Sequence, residues 1–316
     1  MITRARATAL LLGGAAFGAL ATPVRGQTAM TALTIPIQPT ENAMNVAYGK
    51  DMGFFAAEGL DIDIAIIQNS SAIVAAVVSG TYGIGYGSID TLAAIHQKNV
   101  PLVVLAPSAE YVQPGSDHLQ AILVPLNSPL QKAKDLNGKT VAVPTLHSLS
   151  ETVVRAWADK NGGDSSTIKF VEIPFPTIPA ALEANRVDAG YVLEPFLGSA
   201  LKTARVLAYP FSAVASHCLI GSFFTTPQWA NDHRDVVARF IAVMQKTSRW
   251  ANANPAKSAE ILAKYTKTDP SVIATMARVH YGDTLSASSM QPLIDVSAKY
   301  NGFSTFPAQE LIYRPG

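Results

Sequence analysis

The chain has 316 residues, 48% of them hydrophobic and 15% charged, with a net charge of +1 and one cysteine. That length holds two modest lobes or one large domain, and a near-neutral balance without a basic run leaves no electrostatic footprint for nucleic acid. Cys218 alone cannot make an intramolecular disulfide, so stability must come from the core. At the amino end Arg4 and Arg6 precede an apolar run over 7–21, and Ala19-Leu-Ala21 or Val24-Arg-Gly26 offers a cut. This layout predicts a secretory signal peptide over residues 1–26. Its apolar part of about fifteen residues falls short of the roughly twenty that a spanning helix needs. Losing Arg4, Arg6 and Arg25 with it takes the net charge to about −2, and the expected product is a free periplasmic protein.

Strand-length apolar runs follow at 33–37, 62–67, 83–86, 102–106, 121–125, 140–143, 169–173, 189–192 and 217–224. Helical patterns lie between most of them, at 44–57, 71–79, 91–98, 150–161, 178–184 and 195–203. Short buried strands alternating with helices predict an α/β fold, with parallel-rich sheets covered on both faces. From 227 onward the pattern is helical: 227–253, interrupted at Asn231-Asp232, then 255–265, 270–279 and 290–300. Thr226, Asn254, Asp269 and Ser289 read as their amino-terminal caps. An all-helical tail behind a strand-rich front is expected to pack on the sheet body. The polar stretch 107–118 marks one crossing between lobes, and a return falls at 209–216 or just after Phe224. The expected division is residues 27–117 and 220–316 in lobe I and residues 118–219 in lobe II.

In doubly wound sheets, ligands sit beyond the carboxyl ends of the strands, where loops lead into helix amino ends. The loops so placed are Gln38-Pro-Thr-Glu-Asn42, Gln68-Asn-Ser-Ser71 and Gly87-Ser-Ile-Asp90. Gln38, Thr40, Asn42, Asn69, Ser70, Ser71, Gly87, Ser88 and Asp90 are therefore candidate ligand-binding residues. Helix capping explains Asn69, Ser70 and Asp90 equally well one at a time, but the feature repeats at the same topological place. In the second half, Gly138-Lys-Thr-Val-Ala-Val-Pro-Thr-Leu-His-Ser-Leu-Ser-Glu-Thr152 gives a strand, a Pro turn and a polar loop into a helix, where unpaired amides make an anion site. Among aromatics, Tyr86, Tyr111 and Tyr191 are the better cleft candidates, while Phe55, Trp157, Trp229 and Trp250 read as packing.

Three passages carry a family resemblance: Asp51-Met-Gly-Phe-Phe-Ala-Ala-Glu-Gly-Leu-Asp61 behind Leu33-Thr-Ile-Pro-Ile37, the strand-Pro-loop-helix passage, and Asn185-Arg-Val-Asp-Ala-Gly-Tyr-Val-Leu-Glu-Pro-Phe196. Together they resemble the solute-binding proteins of nitrate, sulfonate and taurine importers, a family that includes proteins binding thiamine-pyrimidine precursors. The resemblance implies a two-lobed periplasmic-binding-protein fold of type II with two hinge crossings, and closure on the ligand. Thr145, His147 and Ser148 inherit ligand contacts by it, as do Glu194 and Phe196. It implies no cofactor and no metal; the partners would be a small-molecule ligand and an ABC permease in the inner membrane, with the protein itself a monomer.

Carboxylates at Glu41, Asp90 and Glu194, with no Arg or Lys in the ligand loops, favour a small organic solute that donates hydrogen bonds. A sulfonate or taurine-like solute and a heterocyclic, pyrimidine-like solute both stay open. The six histidines lack zinc-protease spacing, and there is no Gly-x-Ser-x-Gly elbow or phosphate loop. Gly83-Ile-Gly-Tyr-Gly87 reads as a close-packed strand rather than a dinucleotide fingerprint. An exported enzyme or a ligand sensor on the same fold is the alternative.

Overall fold

The computed structural model describes residues 30–315, so the expected signal peptide at 1–26 lies outside the described residues. The chain opens with β1 (Thr31–Ile37), α1 (Asn45–Asp51), α2 (Phe54–Ala57), β2 (Leu60–Ile66) and α3 (Ser70–Val78). It continues through β3 (Gly85–Ser88), α4 (Ile89–His96), β4 (Val103–Pro107) and β5 (Ala109–Val112). The helix expected at 44–57 is two helices, because Gly53 adopts a left-handed φ of 70° between them. β1 and β2 pair in parallel, setting Leu33 opposite Ile62 and Ile35 opposite Ile64, so that the apolar residues of both strands share one face.

A second body follows: β6 (Gln120–Pro125), β7 (Thr140–Val143), α5 (Leu149–Lys160), β8 (Lys169–Glu172), α6 (Ile178–Glu183), β9 (Ala189–Leu193), α7 (Phe196–Ala200) and β10 (Ala204–Ala208). Its five strands form one sheet in the order β10-β6-β9-β7-β8. The chain then returns through β11 (His217–Leu219), β12 (Gly221–Thr225), α8 (Pro227–Asp232), α9 (Arg234–Ala253), α10 (Pro255–Thr266), α11 (Pro270–Thr275), β13 (His280–Tyr281) and α12 (Ala287–Asn301). These later strands complete the first body's sheets, β3-β12-β4 and β11-β5-β13. The backbone thus passes between the bodies twice, at 113–119 and 209–216. His217–Leu219, which a division at 219/220 assigns to lobe II, pairs with β5 on the first body.

The sheets mix directions more than the alternation pattern predicts. Among the strands, β1 pairs in parallel with β2 and β7 with β8 and β9, where helices or long loops make the crossover. Strands next to the crossings, β6, β10, β11 and β12, run antiparallel to their neighbours. Three strands escaped the periodicity reading. β5 carries Glu110 within a stretch of loop-like composition, β10 follows directly on a helix, and β13 is only two residues long.

The tail packs on the body as expected. α9 buries Val236, Val237, Phe240, Val243 and Met244, and Phe240 stacks on Phe55 of α2 at 5.7 Å. α12 bridges both bodies: it lies on α4, while Tyr300 donates to Asp159 at 2.8 Å and Asn301 to Thr152 at 3.2 Å on α5. Thr226 and Asp269 cap α8 and α11 through Trp229 N and Ser271 N. Two cap expectations fail. Asn254 turns back to donate to Trp250 O, and α12 starts earlier, with Ser286 rather than Ser289 accepting from the first turn.

Candidate functional site

A cavity of ≈ 350 Å³ opens between the two bodies. From the first body its wall takes Gln38, Pro39, Thr40 and Asn42 after β1, residues 68–71 from the loop after β2 into the first turn of α3, and Tyr86, Ser88 and Thr91 around the end of β3. The second body supplies residues 144–150 from the loop after β7 into the first turn of α5, Glu172 at the end of β8 and residues 174–176 behind it, Tyr191 and Leu193 on β9, Phe196 opening α7, and Gln120. Most of the wall is the carboxyl end of a strand or the loop behind it, the place where backbone amides and helix amino ends are free to meet a ligand.

Local hydrogen bonds already use many of the polar side chains. Gln38 Nε2 donates to Gln68 O at 3.1 Å and ties the first two loops together. Asn69 Oδ1 accepts from Ala72 N at 3.1 Å, the helix-cap role weighed for it. Ser148 donates to Thr145 O at 2.6 Å, and Ser88 and Thr91 share a bond of 3.0 Å. Ser70 Oγ is different: it is buried and has no hydrogen-bond partner. An unsatisfied hydroxyl on a cavity wall is stabilised by any ligand that supplies a partner.

The second body contributes an aromatic shelf. Phe175 and Phe196 stack nearly parallel, 6.0 Å apart at 13°, and Phe175 meets Tyr191 at 6.4 Å. Tyr191 donates to Gln120 Oε1, which holds its ring in place. Opposite, Tyr86 is buried edge-on against Phe223 at 5.8 Å. Flat apolar faces rimmed by amides and hydroxyls suit a small organic molecule.

Eleven candidates from sequence border the cavity: Gln38, Thr40, Asn42, Asn69, Ser70, Ser71, Ser88, Thr145, His147, Ser148 and Phe196. Three do not. Gly87 faces inward, where a Cβ would stand 2.9 Å from Leu92 and 3.2 Å from Phe224. Asp90 lies behind the wall, 2% exposed, and burial pushes its carboxyl upward while the Ser88 hydroxyl and the Thr91 and Leu149 amides favour its charged form. Glu194 is turned into its own helix, accepting from Gly198 N at 3.1 Å, and burial raises it. This is the capping alternative for a carboxylate before Pro195.

Two further expectations are corrected. Glu41 is not a ligand acceptor, because it is 1% exposed and pairs with Arg278 at 2.6 Å. Tyr111 is a core residue whose hydroxyl donates to Asp117 at 2.5 Å. Residues missed on the wall include Gln120, Glu172 and Phe175. Glu172 ends β8 and Phe175 lies just behind it, so both stand at a strand's carboxyl end. Gln120 opens β6 and reaches the site only because β6 runs antiparallel to β9, setting Gln120 opposite Leu193.

No described helix is long and apolar enough to cross a membrane. Residues 40–258 match a family model described as NMT1/THI5 like. A Brucella abortus protein classed as a binding protein is 23% identical over 239 residues, 73% of this chain and 70% of its own length. The taurine-binding periplasmic protein of Escherichia coli is 26% identical over 178 residues, 55% of this chain and 52% of its own. Among solved structures, the periplasmic aliphatic sulphonate binding protein SsuA of E. coli superposes with a TM-score of 0.72 at 18% identity, covering 90% of this chain and 92% of that one. That likeness establishes the periplasmic-binding-protein fold.

Proposed function

The chain belongs to the NMT1/THI5-like family, and from that premise we propose that it is the substrate-binding protein of an ABC importer, capturing a small organic solute between its two bodies. The observation that carries this reading is the cavity wall, which draws strand-end loops from both bodies, so that neither body encloses a ligand alone. A volume of ≈ 350 Å³ is at the small end of the roughly 300–1,000 Å³ typical of small-molecule sites.

In this reading the solute lies against the Phe175–Phe196–Tyr191 shelf and hydrogen-bonds with the loops after β1, β2 and β7. Residues 30–112 and 217–315 move as one lobe and 120–208 as the other, with the two crossings as hinges. Contacts made to both lobes at once favour the closed population, as in hinge-bending proteins. The closed protein, a periplasmic monomer, then presents the solute to an inner-membrane permease. Relatives named as periplasmic binding proteins support transport over turnover. Among the described residues no group of three or more His, Cys, Asp or Glu is arranged to hold a metal.

The test is a thermal-shift screen of the purified protein against sulfonates, taurine, nitrate, aromatic amines and acids, and pyrimidines. A solute at about a hundred times its dissociation constant should stabilise the chain by roughly 2.7 kcal/mol. A shift from at least one class supports the reading, and silence across all of them contradicts it.

A further inference from the structure

Building on the binding-protein reading, we infer that the cleft selects a solute with a cationic or N–H-rich head, of the amine or amidine type, over anions, with Asp90 as its buried counter-charge. The first observation concerns amides. The passage from β7 into α5 has the form of an anion site, but the protein's own carboxylates fill it. Leu146 N donates to Glu172 Oε2 at 3.1 Å and His147 N to Glu151 Oε2 at 2.8 Å, while the Leu149 amide faces the Asp90 carboxylate. An incoming sulfonate or nitrate would have to displace a carboxylate, or sit beside one without a counter-ion.

The second observation is the charge inventory. No Lys or Arg borders the cavity, and Glu172 does. Arg155, on α5, is bound to Glu151 at 2.7 Å and to Ser165 O at 2.8 Å. The remaining observation is Asp90 itself. Its Oδ1 is buried without a hydrogen-bond partner, and its charge acts on the phenols of both Tyr86 and Tyr191, which border the cavity. Burial of that oxygen pushes the Asp90 carboxyl toward its neutral form in the empty protein. A cation in the cavity beside those rings favours the ionised carboxylate, whereas an anion there adds like-charge repulsion in a medium of low dielectric.

The experiment is calorimetric titration at pH 7 with two probes of similar ring size and opposite charge, benzamidine and benzenesulfonate, on wild type and Asp90→Asn. The wild type should bind benzamidine at least tenfold more tightly than benzenesulfonate. Asp90→Asn should weaken benzamidine at least tenfold, leave benzenesulfonate equal or tighter, and melt no lower than wild type, since it removes a carboxyl whose charged form burial disfavours. Tighter binding of benzenesulfonate by the wild type would overturn the inference while upholding the binding-protein reading. An unchanged benzamidine affinity in Asp90→Asn, or no binding of benzamidine at all, also overturns it. The wild-type preference decides the matter even if the variant fails to fold.

Discussion

Arg278 holds the first ligand loop to the helical tail together with Val279 N and the Tyr281 hydroxyl, which also bond Glu41, and replacing it with Met tests how that loop is anchored. The guanidinium donates to Glu41 Oε1 at 2.6 Å, Pro255 O at 2.8 Å, Ser258 Oγ at 3.0 Å and the Tyr48 hydroxyl at 3.5 Å. Glu41 is 1% exposed and stands between the wall residues Thr40 and Asn42. Removing one partner of a buried pair costs about 3–5 kcal/mol, because the other charge is left uncompensated. Burial already raises the Glu41 carboxyl from 4.5 to about 7 against the opposing pull of Arg278, and without Arg278 it rises further. A carboxyl held above its unfolded value binds its proton more tightly in the native state. Its contribution is therefore full below about pH 4.5 and is lost as pH rises through the native value. The cost of Arg278→Met should accordingly be larger at pH 8, at about 3–5 kcal/mol, than at pH 5.5, where protonation relieves it. Urea denaturation at both pH values reads this directly, and the double variant Glu41→Gln with Arg278→Met should recover much of the loss. A change under about 1 kcal/mol at pH 8, or an equal loss at both pH values, would refute the reasoning.

Other outcomes follow from single contacts. Gly85→Ala places a Cβ 2.8 Å from both Ile73 and Val77, so it should cost about 1–3 kcal/mol in urea denaturation through overpacking. Thr226→Ala removes the bond to Trp229 N that caps α8 and should lower stability by about 1 kcal/mol. Burial, then the Glu110 charge, pushes the Cys218 thiol up to about 12. A disulfide reagent at pH 8 should leave native protein unlabelled and label it fully in guanidinium; prompt labelling of native protein would contradict the burial of β11. Phe196→Ala removes half of the stacked pair at the cavity and should weaken an aromatic solute about tenfold while leaving the melting temperature within a few degrees.

Element type was largely legible from periodicity, because each buried strand or helix face repeats its own spacing. The Gly83–Gly87 stretch was legible as close packing, and Trp229, Ile73, Val77 and Leu92 fill the places where its Cβ atoms would stand. Strand direction was not, since direction at a crossing depends on how the chain comes back and not on the residues of the strand. The candidate site was legible as a set of strand ends. What sequence could not supply was the orientation of carboxylates. Glu41, Asp90 and Glu194 all sit beside ligand loops in the chain, yet one pairs with a residue 237 positions away, one is buried beside Ser88, Thr91 and Leu149, and one caps its own helix. Each orientation follows from burial, which forces a carboxylate toward whatever donor is in reach.

The central claim is capture without chemistry. The most direct measurement is calorimetric titration of the purified protein with the strongest solute from the thermal-shift screen, followed by mass spectrometry of the solute recovered from the complex. Binding of one solute per chain, recovered unchanged after prolonged incubation, is the predicted result. A recovered product of altered mass would contradict the claim and make the cleft an active site.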